Sequence, residues 1–273
     1  MGDSSSSQWN VDFLRHDPSK TASKRVLLIL NQPFSAALLR RLWNSTCWHC
    51  CADGGANRLL DTLRQQNLDE SSYELHLIWL SFIVQVDTTA SYLPDLVKGD
   101  LDSLRPDVRE YYNSKGVPVV KDDDQDSTDL MKCVHAIIEK EKKEGTNQYE
   151  IIILGGLAGR LDQTIHTISY LHKLRKVRER VYAITDDNVC WVLDSGEHEI
   201  EIDHTILGMT CGLLPVGIES TILSTSGLRW NLRDHSSSFD GLVSTSNHLV
   251  PGENVWVKTS KPILWTVELR DSS

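Results

Sequence analysis

The sequence predicts an α/β N-terminal domain, with a mainly parallel sheet and flanking helices, followed by an all-β C-terminal domain of sandwich or barrel-like form. From Val26 to about Asp186, short apolar runs alternate with helical stretches, the pattern of βα units built around a parallel sheet. From about Asp187 onward, β-rich runs follow one another at spacings of roughly ten residues, punctuated by Gly, Pro, Asn and Ser, with no helical period. The 273 residues, 40% hydrophobic and 24% charged, have ordinary globular values and room for two cores.

In order, VLLIL (26–30) reads as a buried strand and SAALLRRLWN as a helix. WHCCAD (48–53) is a second strand and ANRLLDTLRQQ a helix; PDLVKGD (94–100) is a third strand. RPDVREYYNSKG is a helix opened by Pro106 and closed by Gly116. VPVVK (117–121) is a fourth strand, and STDLMKCVHAIIEKEKKEG a helix with an apolar face at Leu130, Val134, Ile137 and Ile138. YEIIILGG (149–156), LDQTIHTISYLHKLRK and RVYAIT (180–185) complete the series as strand, helix and strand. NVCWVLDSG, EHEIEID, MTCGLLPVG, STILSTSG, FDGLVSTSN, NVWVKTS and ILWTVEL are the C-terminal β runs. The chain therefore divides near residue 186 into 25–186 and 187–273, behind a disordered tail over 1–24 that lacks the basic and apolar regions of a secretory signal.

A net charge of −10 argues against nucleic acid or an anionic membrane as the main partner, because phosphate backbones are held by Lys and Arg. A nucleotide remains compatible, since a divalent cation mediates between carboxylates and phosphates. The six cysteines show no disulfide framework, and Cys47 and Cys50 lack the second ligand pair of a zinc site. The cytoplasm is the expected compartment. LHLIWLSFIVQV (75–86) is too short for a membrane span, which takes about 20 residues.

In open parallel sheets ligands bind beyond the carboxyl ends of the strands, and four motifs fall there. ADGGANR (52–58) follows the second strand, KGDLDS (98–103) the third, DDDQDSTD (122–129) the fourth and GGLAGRLDQ (155–163) the fifth. Gly54 and Gly55 suit either close approach to a phosphate at a helix N-terminus or a tight βα turn. If strand conformation persists through Asp100 and Asp102, both carboxylates point to one side and share a hard cation; alternatively Asp102 or Ser103 caps the next helix. Asp126 or Ser127 is the expected N-cap of the helix near Leu130, with Asp129 in its first turn. Arg160 is suited to a phosphate, with Asp162 two residues on; both also suit helix-start electrostatics. GGLAGRLDQ lacks the spacing and Lys of a Walker A loop, and no G-x-S-x-G or H-E-x-x-H stands in the chain. Carboxylates, glycine turns and one Arg fit phosphoryl chemistry.

LILNQP, CADGGANRL, KGDLDSLRPDVREYY, DQDSTDLMKC, LGGLAGRLDQ, CGLLPVG, GLRWNL and LVSTSN, in this order, closely resemble thiamine pyrophosphokinase of the eukaryotic type. The resemblance runs from Val26 to Glu268. It implies transfer of pyrophosphate from ATP to the hydroxyethyl oxygen of thiamine, giving thiamine diphosphate and AMP, with Mg²⁺. It also implies a C-terminal thiamine-binding and dimerisation domain, and a homodimer with active sites between subunits. By motif it implies Asp100, Asp102 and Asp129 as metal ligands, with Asp162 among the catalytic acids. Asp53, Gly54, Gly55, Asn57, Arg58 and Arg160 match nucleotide and phosphate positions. Gln125, Trp230, Ser244 and Asn247 match substrate positions, Trp230 stacking on the cationic ring. Either Asp129 or Asp162 takes the hydroxyl proton. The departure is 68–90, an atypical insertion of roughly twenty residues where the resemblance implies a short link. An edge strand, a dimer contact, a lid or an artefact of coding-sequence assembly would each account for it. Two other readings stand beside the enzyme: a nucleotide or thiamine sensor without turnover, and a transferase acting on another hydroxyl-bearing heterocycle.

Overall fold

The computed structural model describes residues 6–15, 24–74 (backbone only from 67) and 92–270. The apolar run 75–86 and most of the expected insertion lie outside the described residues. The chain opens with β1 (Ser7–Trp9) and one 3₁₀ turn (Asp12–Leu14). Then β2 (Arg25–Ile29), α1 (Ala36–Asn44), β3 (Trp48–Ala52), α2 (Gly55–Glu74), β4 (Leu96–Gly99), α3 (Pro106–Ser114), β5 (Val119–Lys121), α4 (Asp129–Glu144) and β6 (Glu150–Leu154) alternate. After α5 (Leu161–Leu174) and β7 (Val181–Ile184) come β8 (Asn188–Leu193), β9 (Gly196–Ile200), β10 (Leu207–Leu214) and β11 (Ser220–Ser226). The last strands are β12 (His235–Ser238), β13 (Ser244–His248), β14 (Val255–Thr259) and β15 (Ile263–Leu269).

Two compact units result: Ser19–Gly155, and Met1–Pro18 joined to Gly156–Ser273. The composition change near residue 186 falls inside the second, because α5 packs on β7 and β8. In the first unit β6, β2, β3, β4 and β5 lie side by side in that order, every pairing parallel. All five residues of β2 are buried, as are Ile151–Leu154 of β6, which is why these strands read as continuous apolar runs. At the start of β2, buried Arg25 pairs through Nε with Glu150 Oε2 at 2.7 Å. Ser35 caps α1 by accepting the Leu38 N–H, and Gly145, at φ 62°, ends α4.

In the second unit β13, β10, β15, β8 and β7 are antiparallel neighbours. A second sheet has the order β1, β9, β14, β11, β12, with β1 alone parallel to its neighbour. The predicted fold class is thus observed. Trp191 and Trp265 lie at the centre of this unit, both fully buried.

The expectation of a disordered tail over 1–24 is corrected at residues 6–15. Trp9, Val11, Phe13 and Leu14 are buried. The Trp9 ring stacks on Trp191 with centroids 5.5 Å apart, and Arg180 covers its other surroundings with Cζ 4.1 Å from the centroid. Its indole N–H donates to His198 Nδ1 at 3.1 Å, and Arg15 pairs with Glu201 and Asp203. Four apolar side chains scattered among Ser, Asn and Asp give a polar average, yet each finds a pocket. Trp9→Ala is expected to cost about 3–5 kcal/mol, seen in urea denaturation of the full chain as a lower midpoint; a loss under about 1 kcal/mol would show the segment to be a passive passenger.

Candidate active site

The chemistry-bearing loops of the first unit leave the carboxyl ends of β3, β4 and β5. Asp53 ends β3 with a left-handed backbone (φ 42°) and is 3% exposed. Its Oδ2 accepts the Ser103 N–H at 3.0 Å, whereas Oδ1 is buried with no hydrogen-bond partner among the described residues. Gly55 opens α2 directly against β2: a Cβ there would meet the Ile29 carbonyl oxygen at 2.2 Å. This makes the close turn a packing requirement.

Asp100 follows β4, and Leu101 adopts φ 65°, so strand conformation ends at Gly99. Asp100 donates its N–H to Asp129 Oδ1 (3.1 Å), and its own Oδ1 accepts the Asp102 N–H (3.1 Å). One carboxylate oxygen from each of Asp53, Asp100 and Asp129 lies within 4.8 Å of the others. Gly99 permits this approach, since a Cβ there would come 2.8 Å from both Asp129 Oδ1 and Asp53 Cβ. Asp102 stands outside the trio and accepts the Ser103 hydroxyl at 3.0 Å. The geometry that aligned Asp100 with Asp102 required a continued strand; the left-handed Leu101 removes it and leaves Asp53 as the third neighbour.

The local caps differ from expectation for similar reasons. Thr128 is the N-cap of α4, its Oγ1 accepting the Met131 N–H at 3.5 Å. Asp126 is instead tied back, its N–H donating to Asp124 Oδ1, while Asp124 N–H donates to Asp122 Oδ1. Arg105 precedes Pro106 at the start of α3 without any side-chain cap, so neither Asp102 nor Ser103 fills that role.

Buried Asn57 donates to the Ser103 carbonyl (2.7 Å) and accepts the Arg105 N–H (3.1 Å), fixing the 103–105 loop. Arg105 also forms a two-pronged pair with Asp61, at 2.6 and 2.7 Å. Exposed Arg58 donates to Asn31 Oδ1. Exposed Gln125 donates to the Asp123 carbonyl. Lys98 pairs with Asp122 at 2.9 Å, and buried Lys132 brings its Nζ to 3.6 Å from Asp129 Oδ1. Sequence reasoning missed Lys98 and Lys132 and gave Ser103 only a capping role; the position of Lys132 one turn after Asp129 was the available signal.

In the second unit Arg160 and Asp162 are exposed and paired with each other, at 2.6 and 3.1 Å. Trp230 is 51% exposed, with Arg229 Cζ 4.7 Å from its ring centroid. Buried Asn247 donates to the Trp230 carbonyl (2.9 Å) and accepts its N–H (3.2 Å), clamping that residue's backbone. Ser244 is half-buried at the start of β13.

Burial pushes the Asp53 carboxyl above its ordinary range, and the charges of Asp129, Asp100 and Asp102 add to this against the Ser103 N–H. Burial likewise raises Asp129; Asp100 and Asp102 contribute in the same sense, while the Asp100 N–H and Lys132 oppose it. Crowded, partly desolvated carboxylates with one oxygen lacking a donor are suited to a hard cation. The Arg160 guanidinium holds Asp162 below the usual range.

Comparison with known proteins agrees with this architecture. Residues 39–183 match the family model "Thiamin pyrophosphokinase, catalytic domain", and 197–264 match "Thiamin pyrophosphokinase, vitamin B1 binding domain". Thiamine pyrophosphokinase 1 of Oryza sativa subsp. japonica is 36% identical over 90% of this chain and 87% of its own length. Thiamine pyrophosphokinase 1 of Arabidopsis thaliana is 33% identical over 93% and 90%. The crystal structure of yeast thiamin pyrophosphokinase is similar with a TM-score of 0.77, 26% identity and coverage of 97% of this chain and 91% of that one. Thiamin pyrophosphokinase from Candida albicans shares the fold, with a TM-score of 0.79 at 24% identity over 99% and 95%.

Because Asp53 and Asp129 hold protons more tightly when folded, the cation-free fold is penalised at neutral pH and relieved as pH falls through their raised range. Asp53→Asn should therefore melt above wild type in EDTA at pH 7, by about 2–4 °C for a gain of about 1 kcal/mol. That advantage should shrink toward pH 5; a constant difference would place its origin elsewhere. The motifs, the two domain matches and the relatives together establish that this chain belongs to the thiamine pyrophosphokinase family of enzymes.

Proposed function

We propose that this enzyme transfers a pyrophosphoryl group from ATP to the hydroxyethyl oxygen of thiamine, giving thiamine diphosphate and AMP, with Mg²⁺ held by Asp53, Asp100 and Asp129. The observation that carries the reading is the trio of converging carboxylates, one with a buried oxygen lacking a donor, at the ligand-binding edge of the sheet. Bound there, Mg²⁺ would supply charge neutralisation to phosphate oxygens. Asp102 lies one hydrogen bond from Asp100 and orients that loop.

The other residues position and neutralise. Gly54 and Gly55 open the phosphate approach at the N-terminus of α2, and Asn57 holds the Ser103–Arg105 backbone against it. Arg58 and Arg160 are the exposed guanidinium groups assigned to nucleotide phosphate. Either Asp129, at the carboxylate trio, or Asp162, paired with Arg160, takes the thiamine hydroxyl proton. Trp230 offers its ring face to the cationic heterocycle, its backbone held by Asn247, with Ser244 and Gln125 as further thiamine contacts. A cytoplasmic homodimer with active sites between subunits completes the proposal. Among the described residues no helix is long and apolar enough to cross a membrane.

Incubation with ATP, thiamine and Mg²⁺ should release AMP and thiamine diphosphate in equal amounts. Asp100→Asn should lower kcat by roughly 10²-fold or more with an unchanged far-ultraviolet spectrum. Release of ADP, or an unaffected Asp100→Asn, would sink the mechanism, and tight thiamine binding in calorimetry without any AMP would favour the sensor reading. Trp230→Ala should raise the KM for thiamine about threefold to thirtyfold, as the loss of a cation–π contact implies, and leave the KM for ATP unchanged; equal effects on both would remove Trp230 from the thiamine site.

A further inference from the structure

Lys132 is 3% exposed, although lysine is almost never buried without a partner. It stands three residues after Asp129 on α4, with Nζ 3.6 Å from Asp129 Oδ1. That separation is too long for a hydrogen bond and makes the contact one of charge. An ordinary helix-surface pair at this spacing contributes little and leaves the ammonium in water, so stabilising α4 does not account for the burial. The second lysine nearby, Lys98, is engaged at 2.9 Å by Asp122. Lys132 is therefore the cation facing the trio from α4, and its charge also acts on Asp122 and Asp124.

We propose that Lys132 is a positioning residue and the resident counter-charge of this site: it holds Asp129 among its like-charged neighbours before a divalent cation arrives and sets how tightly that cation binds. With Asp53, Asp100 and Asp129 ionised, one ammonium leaves two negative charges, the number one divalent cation neutralises. Proximity of a fixed positive charge weakens cation binding, so the site exchanges affinity for order in the absence of the ion. The inference rests on the cation-binding part of the proposed function and needs neither ATP nor thiamine.

Lys132→Met removes the charge and retains the stem. Titration of the full chain with Mg²⁺ alone, followed by calorimetry, should give a Kd about tenfold to thirtyfold lower in Lys132→Met than in wild type, the effect of one unit charge on a divalent ion about 4–6 Å away even at the dielectric of water. The rise in Tm on adding saturating Mg²⁺ should be correspondingly larger in Lys132→Met, and Lys132→Arg should behave as wild type. If Lys132→Met does not fold without metal, Lys132→Gln serves for the same titration. An equal or weaker Mg²⁺ affinity in a folded, neutral variant would overturn the proposal, since a purely structural lysine gives that result. Absence of Mg²⁺ binding in wild type and variant alike would overturn the cation reading itself, and this inference with it.

Discussion

The constraint on which the site depends is the convergence of like charges around Gly99. At about 4 Å two carboxylates repel by roughly 4 kcal/mol in the partly screened environment near a protein surface. The parallel sheet imposes the approach: β3 delivers Asp53, β4 delivers Asp100, and the start of α4 delivers Asp129. The missing Cβ of Gly99 leaves the space in which they meet. Opposing the repulsion are two backbone donors, from Ser103 and Asp100, and the ammonium of Lys132. These do not saturate the trio, and the unpartnered Asp53 Oδ1 is the residue of that imbalance. A fold that maintains it does so against its own stability, the usual mark of a functional arrangement.

The polar side chains around the trio act mainly on backbone. Asn57 binds both edges of the 103–105 loop, and Asp61 fixes Arg105, the residue at the end of that loop. The same device recurs in the second unit, where Asn247 grips the main chain of Trp230 and leaves its ring half exposed. In both cases an amide that sequence motifs place among ligand contacts has its hydrogen-bonding groups engaged by a neighbouring loop. Each amide thereby removes conformational freedom from the loop it grips.

Much of this was legible in the sequence because buried parallel strands carry an unmistakable signal. VLLIL, WHCCAD and YEIIILGG lie within a residue or two of the observed strands, and the acidic loops follow them as expected. What remained illegible depended on single backbone torsions or on contacts distant in sequence. The left-handed Leu101 separates Asp100 from Asp102, and nothing in KGDLDS announces it, since a non-glycine residue rarely adopts that conformation. The strand His235–Ser238 is made of polar residues and is defined by pairing with β11 alone. Trp9 is buried by residues more than 170 positions away, so no local window contains its reason for ordering.

The acidic run DDDQDSTD shows how composition misleads when each residue is assigned the same kind of role. Asp122 and Asp124 each accept the N–H of the residue two positions on, so successive carboxylates fold the loop by satisfying its own backbone. Lys98 neutralises Asp122, and Thr128 then turns the chain into α4. Only Asp129 enters the trio. The preceding acids thus serve local geometry, and their charge is tolerated because Asp123, Asp124 and Asp126 remain in water, where like charges about 4 Å apart cost roughly 1 kcal/mol. What separates Asp129 from the solvated Asp123, Asp124 and Asp126 is partial burial without a neutralising contact as close as the one Lys98 gives Asp122. Asp53 and Asp129 lose solvent while keeping their like-charged neighbours, and that is the physical distinction a string of aspartates does not display.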